Sequence, residues 1–178
     1  MAKKGEVSVY EVQKANKPPI EDVCNTLLNI PELKEGMARL LALSRKLRMK
    51  PCWSHTNVWN CNYKGKRVVS YGIGRGGGFQ ENHLVIRVYP DNNNLVGFLL
   101  TLSEEMRAEF IDGIKCTGCG GCKPGTKIDI SGKPCFVCWR TEYCRINPSA
   151  EQFEWIVKFI FARRAYIKNT INSNGKGV

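Results

Sequence analysis

A chain of 178 residues, 43% of them hydrophobic, is long enough for one domain with its own core and a small module beside it. Its composition excludes a low-complexity disordered chain, and no apolar run approaches the roughly 18 residues that span a bilayer, so no membrane partner is expected. Twenty-seven Lys and Arg against 16 Asp and Glu leave a net charge of +11, which directs attention to anionic partners.

The first residues, MAKKGEVSVYEVQKANKPP, lack the apolar stretch of a secretory leader, and the expectation is a cytoplasmic protein. After Pro18-Pro19, Ile20 to Ile30 carries apolar residues at 20, 23, 24, 27, 28 and 30 with Glu21 and Asp22 at its start, the pattern of a short amphipathic helix. Pro31 restarts the chain, and Glu32 to Met49 places Leu33, Met37, Leu40, Leu41, Ser44, Leu47 and Arg48 on roughly one stripe of a longer helix. From Cys52 the period falls to two: Trp53, His55, Asn57, Trp59, Cys61 and Tyr63 alternate with smaller residues, as in one strand. Lys64-Gly65-Lys66 turns into a strand over Arg67 to Ile73. The glycine-rich Gly74–Gly78 links to a strand over His83 to Tyr89, and Asp91–Asn94 turns the chain before a fourth strand, Leu95 to Leu102. Ser103 caps a helix running to about Ile114, and Ala150 to Lys168 forms the last helix, with Phe153, Ile156, Val157, Ile160 and Phe161 as its apolar stripe. These elements sum to α+β: an antiparallel sheet of about four strands with flanking helices. The expected divisions are an α+β domain over 1–115, a cysteine module over 116–146, a packed helix over 147–168 and a flexible tail over 169–178.

Six of the nine cysteines fall between Cys116 and Cys144, spaced C-x2-C-x2-C-x12-C-x2-C-x5-C. Thiols brought together by short turns suit a thiophilic metal, and in a reducing compartment such a cluster favours a metal over disulfides. Cys116, Cys119 and Cys122 offer two overlapping knuckles and Cys135 with Cys138 a third, with a small hairpin between them near Ile128–Ile130 and Gly132-Lys133. One knuckle from each side makes a zinc ribbon, so structural zinc is the expected cofactor. An iron–sulfur cluster of the [4Fe-4S] type is the alternative, because the opening IKCTGCGGCKPG is similar to a bacterial ferredoxin motif. That motif's fourth cysteine is missing, since position 126 is Thr. Redox thiols near Lys115, Lys123 and Arg140 stand as a third reading. Cys24, Cys52 and Cys61 are read as structural, and neither His55 nor His83 has a neighbour that makes it a general base.

Between Gly36 and Gln80 there is no Asp or Glu, while Arg45, Lys46, Arg48, Lys50, Lys64, Lys66, Arg67 and Arg75 lie within that window. Such a one-sided segment should attract phosphate, and these eight residues are the candidate nucleic-acid or polyanion contacts. Gly74–Gly78 lacks the Lys-Ser/Thr of a P-loop and is read as a connection. Trp53, Trp59 and Tyr63 are read as core or interface aromatics rather than base-stacking platforms.

Three stretches, Arg48-Met49-Lys50-Pro51-Cys52-Trp53, Tyr63-Lys64-Gly65-Lys66-Arg67-Val68 and the C-x2-C-x2-C-x-Pro-Gly run, carry a resemblance, with Asn147-Pro148 and Arg163-Arg164. Together they look like uncharacterised proteins of Gram-positive anaerobic bacteria, similar to small YdhG-like α+β domains with a cysteine-rich C-terminal insertion. The resemblance covers roughly residues 40 to 168. It implies Cys116, Cys119, Cys122 and Cys138 as metal ligands and carries no activity with it. The expected function is a metal-binding module with a basic face for nucleic acid or another polyanion; the alternative is a redox protein or enzyme built on the cysteines.

Overall fold

In the computed structural model of the chain, residues 8–76, 78–91, 94–115, 125–138 and 142–174 are described. Three helices come first: α1 (Val9–Asn16), α2 (Ile20–Leu27) and α3 (Pro31–Lys46). The sequence carries no expectation of α1, whose polar residues hide its use. Its Gln13 side chain accepts from the Asn57 backbone N–H at 2.8 Å and from the Trp53 indole at 3.3 Å. Proline at the first position of α3 fixes a helical φ where no amide donor is needed, so α2 and α3 are separate helices as Pro31 implies.

The expected single strand over Cys52–Tyr63 is a hairpin. β1 (Pro51–His55) and β2 (Val58–Tyr63) pair antiparallel around Thr56-Asn57, with Asn57 in the left-handed region at φ 54°. A two-residue turn flanked by a bulge keeps Trp53 opposite Trp59 on one face, so the alternation of large residues runs through the turn and conceals it. β3 (Lys66–Gly76) and β4 (Gly78–Val88) extend past the expected connection at Gly74–Gly78 and pair as far as Gly76 with Gly78.

Leu95 to Leu102 is not a fourth strand. Leu95–Leu100 is helix α4, because the Asn94 side chain accepts from the Gly97 N–H at 2.9 Å and Leu95, Phe98 and Leu99 bury one helical face at i, i+3 and i+4. Helix α5 (Glu104–Ile114) begins at the expected Ser103 cap. β5 (Thr126–Ile130) and β6 (Lys133–Val137) form a separate two-stranded hairpin, while β7 (Tyr143–Ile146) returns to the main sheet beside β4. The fifth strand of that sheet thus comes from within the stretch assigned to the cysteine module. Helix α6 (Ala150–Asn174) continues through 169–174, which had been expected as tail.

The result is α+β, with a five-stranded antiparallel sheet in the order β1-β2-β3-β4-β7 and six helices among the described residues. One sheet face is the core: Trp59, Cys61, Val69, Tyr71, Ile73, Leu84, Ile86, Val88 and Tyr143 join α2, α3, α5 and α6 in one buried cluster. Its aromatic centre stacks Phe110 on Tyr143 at 5.4 Å, with Phe159 edge-on to both. The opposite face carries Asn60, Ser70, Arg87 and Cys144, aligned across the strands. No described helix is long and apolar enough to cross a membrane.

Candidate polyanion face and cysteine module

The cysteine module is anchored at one end. Ser131 and Gly132, both at positive φ, close the hairpin expected between the knuckles. Ile130 and Val137 are buried in the main core. Lys115 bridges to Val137, and the Cys138 N–H donates to the Ile114 carbonyl at 2.7 Å, so the chain enters position 116 tied to the β6 end that carries Cys135 and Cys138. Both thiols are half-exposed. Cys116, Cys119 and Cys122 lie outside the described residues. Among the described residues no group of three or more potential metal ligands is found, so a metal-binding module is not shown. Cys144 is Cα-paired with Arg87 in the main sheet, and burial pushes its thiol up.

The basic window is partly answered by carboxylates from elsewhere in the chain: Glu154 of α6 pairs with Arg39, and Glu21 of α2 pairs with Arg45. Lys46, Arg48, Lys50, Lys64 and Lys66 make no ion pair among the described residues, and all five are exposed. Their placement follows from two turns. Helix α3 ends in a Schellman motif, in which the Met49 N–H donates to the Ser44 carbonyl at 2.8 Å and the Arg48 N–H to Arg45 at 2.9 Å, with Arg48 left-handed at φ 59°. The β2–β3 turn is Lys64-Gly65, with φ 47° and 76°, the geometry of a type I′ turn that Asn-Gly fits best. Pro51 pairs with Cys61, which brings Lys50 beside the same strand end.

Sequence reasoning on the window alone missed Arg164. From α6 its Nε donates to the Leu47 carbonyl at 3.2 Å, and its guanidinium lies 4.6 Å from the Tyr63 ring centroid. It therefore closes the end of α3 onto the β2–β3 turn. The neighbouring Arg163 points the other way: only 4% exposed, it faces Asp91 at 3.5 Å. The pair Arg163-Arg164 marked the spot, but nothing in the sequence says which arginine is outside. Arg67 does not join this end; its guanidinium lies 5.0 Å from the Tyr89 ring. Arg75 is placed by its backbone alone, paired with Phe79.

Trp59 is buried, with its indole N–H on the Pro18 carbonyl at 3.1 Å, and Tyr63 is covered by Arg164 and Lys64. Trp59 therefore offers no stacking face, and Tyr63 already has cations against its ring. Cys24 and Cys61 are buried and Cys52 is exposed. Burial pushes the thiols of Cys24 and Cys61 up to about 12, so neither is a nucleophile at neutral pH.

No protein-family model, curated protein or solved structure matches the chain.

Proposed function

We propose that the protein is a binding module for nucleic acid or a comparable polyanion, contacted along its phosphates by Lys46, Arg48, Lys50, Lys64, Lys66 and Arg164, with the cysteine module folded around a structural zinc ion. The observation that carries the first half is that Arg48 and Lys64, two exposed cations on adjoining turns, occupy left-handed backbone that suits glycine or asparagine. A side chain there costs roughly 1 kcal/mol, a cost that a ligand contact would account for. The bland account, cations placed to offset the dipole at the end of α3, covers Arg45 and Lys46 but not Lys64 in a β-turn. With Trp59 buried and cations against the Tyr63 ring, contact runs through the backbone of the ligand and discriminates little between sequences.

Arg48→Gly separates the two roles of that residue. It should raise the melting temperature, by about 1 kcal/mol in stability, and lower the slope of log affinity against log salt by about 0.9 on duplex DNA. Unchanged DNA affinity across Arg48→Gly and Lys64→Asn, or no retention of DNA or RNA at low salt, refutes the reading.

For the module, the support is the tie between positions 114–115 and 137–138, which puts the residue preceding Cys116 beside the end of β6 that leads to Cys138. A zinc ion bound by four thiolates supplies the folding energy that a segment with so few core residues lacks.

A further inference from the structure

The geometry points to a second, smaller anion site on the sheet face away from the core, a pocket for a phosphate-class oxyanion held by Arg67, Arg87 and His55 with the hydroxyls of Ser70 and Tyr89. It is separate from the polyanion face proposed above: of the eight cations expected from the sequence only Arg67 lines it, and Arg67 does not join the end that carries Lys46 and Arg164.

The pocket, about 200 Å³, lies over β2, β3 and β4 and is reached from β1 and from Glu142. Two irregularities build it. On β3 the register with β2 shifts between Cys61 and Asn62, so that Asn62 opposes Arg67 and Val68 is the extra residue. Val68 and Val69 are both fully buried in the core. In a regular strand Arg67 would share the core face of Val69 and Tyr71; the bulge turns it to the other face, beside Ser70. On β1 the register shifts between Trp53 and His55, so that Trp53 keeps the core face with Trp59 while His55 opposes Val58 and turns outward. Two bulges on different strands thus aim one guanidinium and one imidazole into the same pocket. Bulges that re-aim a side chain gather beside functional sites.

The remaining wall is regular sheet. Ser70 is Cα-paired with both Asn60 and Arg87, which puts a hydroxyl, an amide and a second guanidinium in one cross-strand row. Ser70 is 1% exposed, and its hydroxyl meets the Tyr89 hydroxyl at 3.1 Å; each keeps capacity for a further hydrogen bond. Arg67 rests over the Tyr89 ring. Glu142 meets Arg87 Nε at 3.1 Å and is the one carboxylate among the described lining residues. A guanidinium has five N–H donors, more than one carboxylate uses, so Arg87 can hold Glu142 and a ligand oxygen together. The cavity suits a few heavy atoms rather than a polymer, and the donors, two guanidiniums with hydroxyls between, match the oxygens of phosphate.

The test is calorimetric titration of inorganic phosphate into the full chain in a phosphate-free buffer, with variants checked for folding by circular dichroism. One saturable site is expected. Arg67→Gln, at an exposed side chain, and Tyr89→Phe should each weaken phosphate roughly tenfold, the loss of one charge-assisted hydrogen bond or its support. Glu142→Gln should tighten it severalfold by removing the competing anion, a change that a purely structural carboxylate would not produce. A Lys64→Gln/Lys66→Gln variant should lose polyanion retention but keep phosphate binding. Absence of saturable binding, wild-type affinity in Arg67→Gln, weaker binding in Glu142→Gln, or parallel loss in the lysine variant would each overturn the proposal. The last would assign phosphate to the general basic surface, leaving the polyanion reading intact.

Discussion

Cys24 and Cys61 show how the environment decides what a residue does. In the sequence they are thiols like the others, but burial leaves them with pKa values near 12, against 9.0 unperturbed. Below pH 9 the thiol is protonated in both the folded and the unfolded chain and no linkage arises. Between 9 and 12 the unfolded thiol ionises and the folded one does not, so the native state binds the extra proton and stability falls as pH rises. The expected slope is about −1.4 kcal/mol per pH unit for each thiol, read by urea unfolding at a series of pH values from 8 to 11. Replacing Cys24 or Cys61 with Ala should flatten the alkaline decline. Isolation in the sequence pointed to a structural role for Cys24, Cys52 and Cys61; Cys24 and Cys61 are buried in keeping with it, whereas Cys52 is exposed. That Cys61 lies near Ser44 and Tyr71, whose hydroxyls share a 2.8 Å hydrogen bond, needed the fold.

Among the elements, the approach of α3 to α6 matters most, because it brings Arg48 and Arg164 to one end. Gly36 makes that approach possible: a Cβ built on it would clash with the Cε2, Cζ and Cε1 carbons of the Phe153 ring. Gly36→Ala should therefore destabilise the protein by about 1–3 kcal/mol through overpacking, despite the better helix propensity of alanine, and denaturant unfolding would measure it. Gly36→Ala combined with Phe153→Leu should recover part of the loss, since the smaller side chain leaves room for the methyl group. A comparable junction holds β7. Tyr143 donates to Glu109 at 2.7 Å, and Arg145 pairs with the same carboxylate at 2.6 Å while lying over the Tyr143 ring. Helices α2, α3, α5 and α6 were legible because proline, capping residues and a 3.6-residue stripe agree. Helix α4 was misread as a strand because LVGFLL is apolar throughout and has no period to read; its Asn94 cap was the available signal.

For the whole molecule, the order of elements gives the cysteine module a defined dependence on the rest. Strand β7, from within the stretch expected as the module, and helix α6 after it belong to the main sheet and core, so the domain does not end where the cysteines begin. Removing the proposed zinc should then loosen the β5–β6 hairpin and leave the five-stranded sheet folded. After treatment with a chelator, hydrogen exchange is expected to accelerate over residues 125–138 while β2, β3 and β4 keep their protection. Zinc content should fall in Cys138→Ser with the same local pattern. Uniform loss of protection, or none with zinc already absent from the purified protein, is the result that sets structural zinc aside, and iron in its place would restore the iron–sulfur reading.

By itself the sequence determined the α+β class, the separate helices around Pro31, the hairpin between the cysteine knuckles and the carboxylate-free basic window. All of these depend on local chemistry: where a proline falls, which residues alternate, which charges are missing. The tertiary structure alone decided that Arg45 is paired with Glu21, that Arg164 rather than Arg163 completes the basic end, and that a fifth strand returns to the main sheet from within the stretch expected as the module. It also decided where Arg67 and His55 face. Each of these outcomes depends on partners far away in the chain or on a one-residue shift in strand register, and a bulge reverses the face of a side chain without changing the period-two pattern that a sequence displays.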